Sequence, residues 1–477
     1  MPVDRARLHR ALNPRTVVVV GDKGPTYNWL ENQREYTGNL YSVQVDPNEI
    51  AEIEKRGFTN FLSMNDVPGD VDLVICAVPR QVAPRIVADA IARKAGGMVL
   101  FTAGFAETGE EFGAQLQERV VQLATADGMP IVGPNCMGIH NARLGVKFTD
   151  NQPVVPDGNV SYIAQSGTHG ASLSGISPLH GIKVTRTVSI GNAVILNEAD
   201  YLEYLRDDPD TQYIGMYLEG VKDGERFFRV LREVTKTKPV VIWKGGQNEA
   251  GARATRSHTA SLATPQALWD GMMRQAGAIP VNTLDELLDV MSCLVHTPRH
   301  VGRRVALMAM TGGQSVAISD AFGRANLTVP PLSDRSYEQL GEFFNIIGGS
   351  YRNPFDMAGT IGFAGAEENF QRILDILAAD DNLDAAVYEF SAGFFLRQWK
   401  ADPDRLTRLL DSLESYRART GQPLILVLHP AHIEAELVPI KAQLAARSFA
   451  VYPSFDRAAQ ALAKVTTYYE TLRARGV

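Results

Sequence analysis

The feature that most constrains this chain is a recurrent alternation of short apolar runs with helical stretches. The first run is Thr16-Val17-Val18-Val19-Val20-Gly21. Leu40 to Pro47, Val71 to Pro79, Gly97 to Thr102 and Pro130 to Gly133 follow, with helical patterns between them such as Pro84 to Arg93 and Gly109 to Ala126. Runs so continuous in β-branched and aliphatic residues read as strands buried on both faces. Strands alternating with helices give βαβ units and a parallel sheet. Glycine closing the first strand, followed by the turn Asp22-Lys23-Gly24-Pro25, suits a nucleotide-type ligand seated on a helix N-terminus. The dinucleotide pattern G-x-G-x-x-G is absent, because Gly21 is followed by Gly24 alone. Asp46, ending the second strand, either holds an adenine ribose or is a turn residue before Pro47.

The same plan recurs twice. Val160-Ser161-Tyr162-Ile163-Ala164 is a strand, and Gln165-Ser166-Gly167-Thr168-His169-Gly170 opens a helix of small residues. Free backbone N–H groups there fit an anion, and a plain βα loop with a serine cap fits equally. Further on, Arg304 to Thr311 is a strand, Gly312-Gly313-Gln314-Ser315 a glycine-rich turn, and Val316 to Arg324 a helix. The three units share only this βα plan. The expected architecture is an α/β chain with a Rossmann-like domain over residues 1–150. Two flavodoxin-like parallel α/β domains follow, over 151–298 and 299–477, with Pro298 to Gly302 as a linker.

The composition excludes several classes. At 477 residues the chain has room for about three domains. A net charge of -7 argues against broad nucleic-acid binding, which needs a basic surface. The three cysteines, Cys76, Cys136 and Cys293, lie far apart without metal-ligand spacing, and no metal site is expected. No run reaches the length of a membrane span and no apolar leader opens the chain, so a cytoplasmic protein without a membrane contact is expected.

The richest stretch for chemistry follows the strand Pro239-Val240-Val241-Ile242-Trp243. From Lys244 to Thr259 it reads as a long loop of glycine, alanine and hydrophilic residues ending in Ser257-His258-Thr259, with Arg253 and Arg256 nearby. Open α/β sheets keep their chemistry at carboxyl strand ends. A neutral imidazole there can act as a nucleophile, and the arginines attract an anion. A solvated loop histidine is the other reading of this stretch. Glu219 ends the run Ile214 to Leu218, on what reads as the strand before. Its carboxylate, if it meets His258, fixes the ring tautomer and supports a positive ring.

Taken in order, the motifs resemble the α-type subunit of the nucleoside-diphosphate-forming acyl-CoA synthetases, relatives of succinyl-CoA synthetase. The resemblance runs over the whole chain. It rests on Arg15 to Gly21, Thr102-Ala103-Gly104-Phe105-Ala106-Glu107, Gly133-Pro134-Asn135-Cys136-Met137-Gly138, Gln165-Ser166-Gly167, Ser189-Ile190-Gly191-Asn192, Tyr217-Leu218-Glu219-Gly220, Ser257-His258-Thr259, Thr311-Gly312-Gly313-Gln314 and Asn353-Pro354-Phe355-Asp356. It implies interconversion of a carboxylic acid, CoA and a nucleoside triphosphate with acyl-CoA, the diphosphate and phosphate. The implied intermediates are an acyl phosphate and a phosphohistidine at His258, with Glu219 bonded to the other ring nitrogen. The helix starts at Ser166, Gly167 and Thr168 and at Gly312, Gly313, Gln314 and Ser315 are implied to hold phosphoryl oxygens. CoA is implied to lie along Gly21, Lys23, Asp46, Val78, Pro79, Thr102, Ala103 and Gly104, with Asn135 and Cys136 near its thiol end. Tyr162, His169 and Met137 are expected to line the acid's pocket.

No phosphate loop of the G-x-x-x-x-G-K-[ST] type occurs and no ATP-grasp domain is recognisable. The resemblance therefore implies a separate ATP-grasp β-type subunit that binds ATP or GTP with Mg²⁺, in a hetero-oligomer or dimer. Loop glycines Gly245, Gly246 and Gly251 are expected to let His258 move between sites. The chain departs from the family's pattern at the opening turn Gly21-Asp22-Lys23-Gly24, and at Asp46, an acid where CoA's phosphates call for a base that Lys23 could supply. It departs also at Ile195 and Asn197, where acidic residues are common, and at Ala260, often glycine. The departures near Asp46 and Ile195 leave one alternative, a CoA-binding or regulatory homologue without ligase activity. The first domain leaves another, an NAD-dependent oxidoreductase, which the missing dinucleotide fingerprint opposes.

Overall fold

Alternate valines of the first strand leave for opposite faces of a sheet, and both faces are covered. Val17 and Val19 enter one apolar cluster, Val18 and Val20 another, and all four are at most 3% exposed. The computed structural model describes residues 3–259, 265–310, 312–362, 365–430 and 434–476. Among them no helix is long and apolar enough to cross a membrane.

The first sheet holds β1 (Thr16–Val20), β2 (Asn39–Val43), β3 (Thr59–Phe61), β4 (Leu73–Cys76), β5 (Gly97–Leu100) and β6 (Ile131–Val132). Its order is β3-β2-β1-β4-β5-β6 and every pairing is parallel. The order reverses at β1, which opens a crevice above the carboxyl ends of β1 and β4. Sequence reading missed β3, whose three residues Thr-Asn-Phe are too short and mixed to give a period.

The second sheet holds β7 (Gly138–Asn141), β8 (Val160–Ala164), β9 (Val184–Ser189), β10 (Tyr213–Leu218), β11 (Val240–Lys244) and β12 (Ile279–Val281), in the order β12-β11-β10-β8-β9-β7. All pairings are parallel except β7 with β9. β7 lies inside the stretch assigned to the first domain, yet it completes the second sheet. An apolar cluster continues from Leu73 and Val99 of the first sheet, through Ile139, to Ile163 and Met216 of the second.

The third sheet holds β13 (Val305–Ala309), β14 (Phe355–Asp356), β15 (Ala385–Glu389), β16 (Leu424–Val427) and β17 (Ala450–Tyr452), all parallel, in the order β14-β13-β15-β16-β17. This repeats the connectivity of β9-β8-β10-β11-β12, so the second and third units share more than the general βα plan.

By packing, the chain divides into two compact units, Met1–Pro178 with Lys183–Leu287, and Leu179–Ile182 with Leu288–Val477. The division falls inside the helix Leu284–His296, ahead of the linker expected at Pro298. The helix from Leu288 onward belongs to the second unit, where Asp289 is bound. Its carboxylate pairs with Arg457, and its carbonyl accepts from the Tyr452 hydroxyl at 3.0 Å.

Candidate active site at the carboxyl edges of the first two sheets

At the end of β1 the backbone turns at Gly21 with φ +81°, and a Cβ there would stand 2.5 Å from Val78 Cγ1. Only glycine lets β1 and the loop after β4 approach so closely. Lys23 is exposed on this turn. Asp46 is the N-cap of the helix Pro47–Lys55 and accepts from the Asn48 N–H at 2.9 Å. The turn reading of Asp46 thus has a structural basis, and its second carboxylate oxygen is left for other partners. Thr102 donates from Oγ1 to the Val78 carbonyl at 2.6 Å, tying the β4 and β5 ends together beside Pro79 and Ala103. Arg80 donates to the Gly104 carbonyl at 2.6 Å and pairs with Glu110 at 2.7 Å. This guanidinium on the crevice rim was missed by sequence reading, which looked for a base only at Lys23.

Three motifs far apart in sequence meet through one carboxylate. Glu107 Oε1 accepts from the N–H groups of Gly104 (2.6 Å) and Phe105 (3.1 Å), and Oε2 accepts from Asn192 Nδ2 at 2.6 Å. Asn192 in turn accepts from Asn135 Nδ2 at 3.3 Å. Asn135 has φ +56° and Gly191 φ +54°, and a Cβ on Gly191 would lie 2.2 Å from the Pro134 carbonyl. The Met137 N–H donates to Ser189 Oγ at 3.0 Å. Cys136 does not reach the site as expected. It is 5% exposed and donates inward to the Leu100 and Val132 carbonyls, and burial pushes its thiol well up.

Glu219 stands just past β10 and is 5% exposed. Gln165 clamps its backbone. The Gln165 Oε1 accepts from the N–H groups of Glu219 and Gly220, the latter at 3.0 Å, and its Nε2 donates to the Gly220 carbonyl at 2.9 Å. The Tyr217 hydroxyl donates to Glu219 Oε1 at 3.2 Å, and burial followed by the Glu219 charge raises the phenol's pKa. Lys244, 3% exposed, donates to the carbonyls of Glu219 (2.8 Å) and Gly245 (2.5 Å), and burial lowers its pKa.

Beside this carboxylate, His169, Tyr217 and Trp243 form a triangle with ring centroids 4.2, 4.5 and 4.6 Å apart. Ser166 caps the helix Gly167–Ile176, accepting from the His169 N–H at 3.4 Å, and Thr168 is exposed in its first turn. Met137 overlies that start, since a Cβ on Gly167 would lie 2.4 Å from Met137 Cγ. Tyr162 cannot line a pocket as expected. It is fully buried, and its hydroxyl bonds Ser177 at 2.9 Å.

The stretch after β11 is not the long loop expected from sequence. Glu249–Thr259 is a helix. Alanines at 250, 252 and 254 favour it, Arg253 pairs with Glu249 one turn back at 3.0 Å, and Asn248 accepts from the Gly251 N–H at 2.9 Å. Gly246, with φ +71°, folds the helix back so tightly that a Cβ would meet Thr255 Oγ1 at 2.7 Å. Gly245 and Gly246 thus also answer to close approach. The helix packs beside Ala106–Thr108, next to Glu107. His258 lies in its last turn, but its side chain, like those of Arg256, Ser257 and Thr259, lies outside the described residues. The same holds for Thr311 and for the Gln314 side chain.

Comparison with known proteins follows this geometry closely. A CoA binding domain matches residues 15–142, and a succinyl-CoA ligase like flavodoxin domain matches 157–294. The α subunit of ADP-forming acetate–CoA ligase II from Pyrococcus furiosus is 35% identical over 379 residues, covering 79% of this chain and 80% of that one. The chain belongs to the ADP-forming acyl-CoA ligase family, on its α-subunit side. ADP-forming acetate–CoA ligase I from Archaeoglobus fulgidus is 33% identical over 381 residues. This chain spans only 54% of that longer family member. Among solved structures, the dinucleotide-forming acetyl-coenzyme A synthetase 1 of Ca. Korarchaeum cryptofilum, in complex with phosphate and ADP, superposes with a TM-score of 0.83. It is 26% identical, and the match covers 98% of this chain and 97% of that one.

Within this ligase-family chain, the second unit carries the other glycine turn. Gly312–Gln314 is a 3-10 turn leading into the helix Ser315–Arg324. The Met310 N–H before it donates to Glu389 at 2.8 Å, and a Cβ on Gly312 would lie 2.9 Å from Asp356 Oδ2. Asp356 is 9% and Glu389 5% exposed, so two buried carboxylates oppose the positive helix start. Gln165, Lys244, Glu107 and Asn192 had no sequence signal beyond their place in motifs, because each acts through a partner more than twenty residues away.

Proposed function

We propose that this chain is the CoA-binding, histidine-bearing α subunit of a nucleoside-diphosphate-forming acyl-CoA ligase. The observation that carries the reading is Glu219. It is a buried carboxylate fixed by Gln165, Tyr217 and Lys244, in the same compact unit as the Glu107–Asn192–Asn135 network and the His258 helix.

In the acyl-CoA-consuming direction, a phosphate oxygen attacks the thioester carbonyl. The C–S bond breaks, and acyl phosphate and CoA thiol leave. An imidazole nitrogen of His258 then attacks phosphorus, the acid departs as carboxylate, and phosphohistidine remains. A nucleoside diphosphate on the partner takes the phosphoryl group and becomes the triphosphate. Within this chain, Glu219 accepts from the second ring nitrogen and balances the positive ring. The N–H groups at Ser166, Gly167 and Thr168 take phosphoryl oxygens. Gly21, Val78, Thr102 and Gly104 offer backbone to CoA, with Arg80 and Lys23 for its phosphates. The partner is an ATP-grasp chain holding ATP or GTP with Mg²⁺.

The test is phosphoryl labelling. The chain is mixed with an ATP-grasp subunit, Mg²⁺ and γ-labelled ATP, and acid-labile label is expected on it, dependent on the partner. His258→Ala should abolish the label. Equal labelling of wild type and variant would remove the phosphohistidine from this reading.

A further inference from the structure

The second compact unit contains a cavity of about 270 Å³ beside the helices Ala366–Ala378, Ala392–Ala401 and Pro403–Thr420. Its walls are Ile361, Phe370, Tyr388, Phe395, Trp399 and Leu409. The rings are ordered against one another. Phe370 and Tyr388 lie 5.1 Å apart, and Phe395 stacks on Trp399 at 5.6 Å. An apolar cavity of about 150 Å³ already takes benzene, so this space accommodates a ring with a short side chain.

An aromatic cage alone names no occupant, but its polar lining of Tyr388, Glu367, Gln371, Arg405, Arg408 and Ser412 narrows it, with both arginines facing the one carboxylate. Tyr388 is 1% exposed and lines the cavity, and its hydroxyl makes no hydrogen bond to any described residue. A phenol that lines a cavity can donate to an acceptor oxygen that an occupant brings. Arg405 stands at the rim, about a quarter exposed. Its nearest carboxylate, Glu367, is 3.7 Å away, beyond hydrogen-bond reach, because Glu367 spends its short bonds on Arg408 at 2.7 and 2.9 Å. The occupant therefore carries an apolar ring and acceptor oxygen, with a negative charge facing Arg405.

From this cage, the Tyr388 hydroxyl and the loosely paired Arg405 we propose a binding site for a small aromatic carboxylate. The ring sits among Phe370, Phe395 and Trp399, the carboxylate on Arg405, and the Tyr388 hydroxyl donates to a ligand oxygen. The proposal is independent of the ligase reading, since it concerns binding alone and every residue in it belongs to the second unit.

The test uses the full chain and 3-phenylpropanoate, followed by calorimetry and by tryptophan fluorescence. Trp399 is the one tryptophan in that unit's sequence. One saturable site per chain is expected, with fluorescence quenching lost in Trp399→Phe while the heat persists. Arg405→Gln should weaken binding about tenfold, as should replacing the acid by 3-phenylpropanamide. Tyr388→Phe, which leaves the ring in place, should weaken it about threefold or more. Absence of saturable heat would overturn the proposal, as would equal binding of acetate or unchanged affinity in both Arg405→Gln and Tyr388→Phe. So would loss of the site on adding the ATP-grasp subunit, which would assign the cavity to a partner side chain.

Discussion

Gln165 and Lys244 bond the backbone of Glu219 while the Tyr217 hydroxyl bonds its carboxylate, and that separates position from charge. Gln165 fixes where the residue stands, while the carboxylate itself receives the Tyr217 hydroxyl. Glu219→Gln should therefore keep the fold and the affinity for CoA, and lower the rate of phosphohistidine formation by roughly a hundredfold. Rapid-quench labelling beside CoA calorimetry checks both halves. His140 gives a different residue-scale prediction. It is fully buried on β7, bonds the Pro153 carbonyl at 2.9 Å, and burial lowers its pKa from 6.5 to about 4. The unfolded chain takes up a proton below pH 6.5 that the folded chain refuses until about 4. His140 therefore costs no stability above 6.5 and an increasing amount as pH falls through that window, at most about 1.4 kcal/mol per pH unit. Urea midpoints from pH 7 to 4 should fall less steeply in His140→Gln than in wild type. Parallel curves would contradict the assignment.

Among elements, the helix Glu249–Thr259 separates what sequence discloses from what it hides. The strands β1, β4, β5, β8, β10 and β11 were legible because each is a run of apolar residues buried on both faces. β3 and β14 were not, with three and two residues apiece. The helix was misread as loop because its glycines and polar residues mask an alanine-rich segment, and because Gly246 serves a close approach that no local pattern reveals. Glu219, Ser166 and Gly21 could be picked out in advance from their types and strand-end positions, and Gly104 only from the motif that carries the resemblance. Their supports could not, because Gln165–Gly220 and Glu107–Asn192 are pairings across the fold. Gly246→Ala should strain a left-handed turn and push on Thr255, loosening the helix by about 1–3 kcal/mol. Hydrogen exchange should rise across residues 249–259 and labelling should drop, while CoA binding holds.

For the whole molecule, the division into two compact units lets tryptophan fluorescence be assigned to each of them. Trp29, Trp243 and Trp269 lie in the first unit and Trp399 in the second. In Trp399→Phe, fluorescence reports the first unit alone. CoA at a hundredfold excess over its Kd should stabilise the transition seen there by about 2.7 kcal/mol. An unshifted midpoint in denaturant would place CoA elsewhere.

The strand β7 has a consequence for anyone cutting and rejoining such chains. The CoA-binding match ends at residue 142 and the flavodoxin-like match begins at 157, so the gap between them looks like a natural seam. Yet residues 138–141, on the CoA-binding side of it, form the outer edge of the neighbouring sheet, paired with β9. A transplanted CoA-binding module would carry off its neighbour's border strand and leave β9 as a bare edge, open to pairing with other chains. Donor and recipient have to be joined ahead of Gly138, or exchanged as one piece.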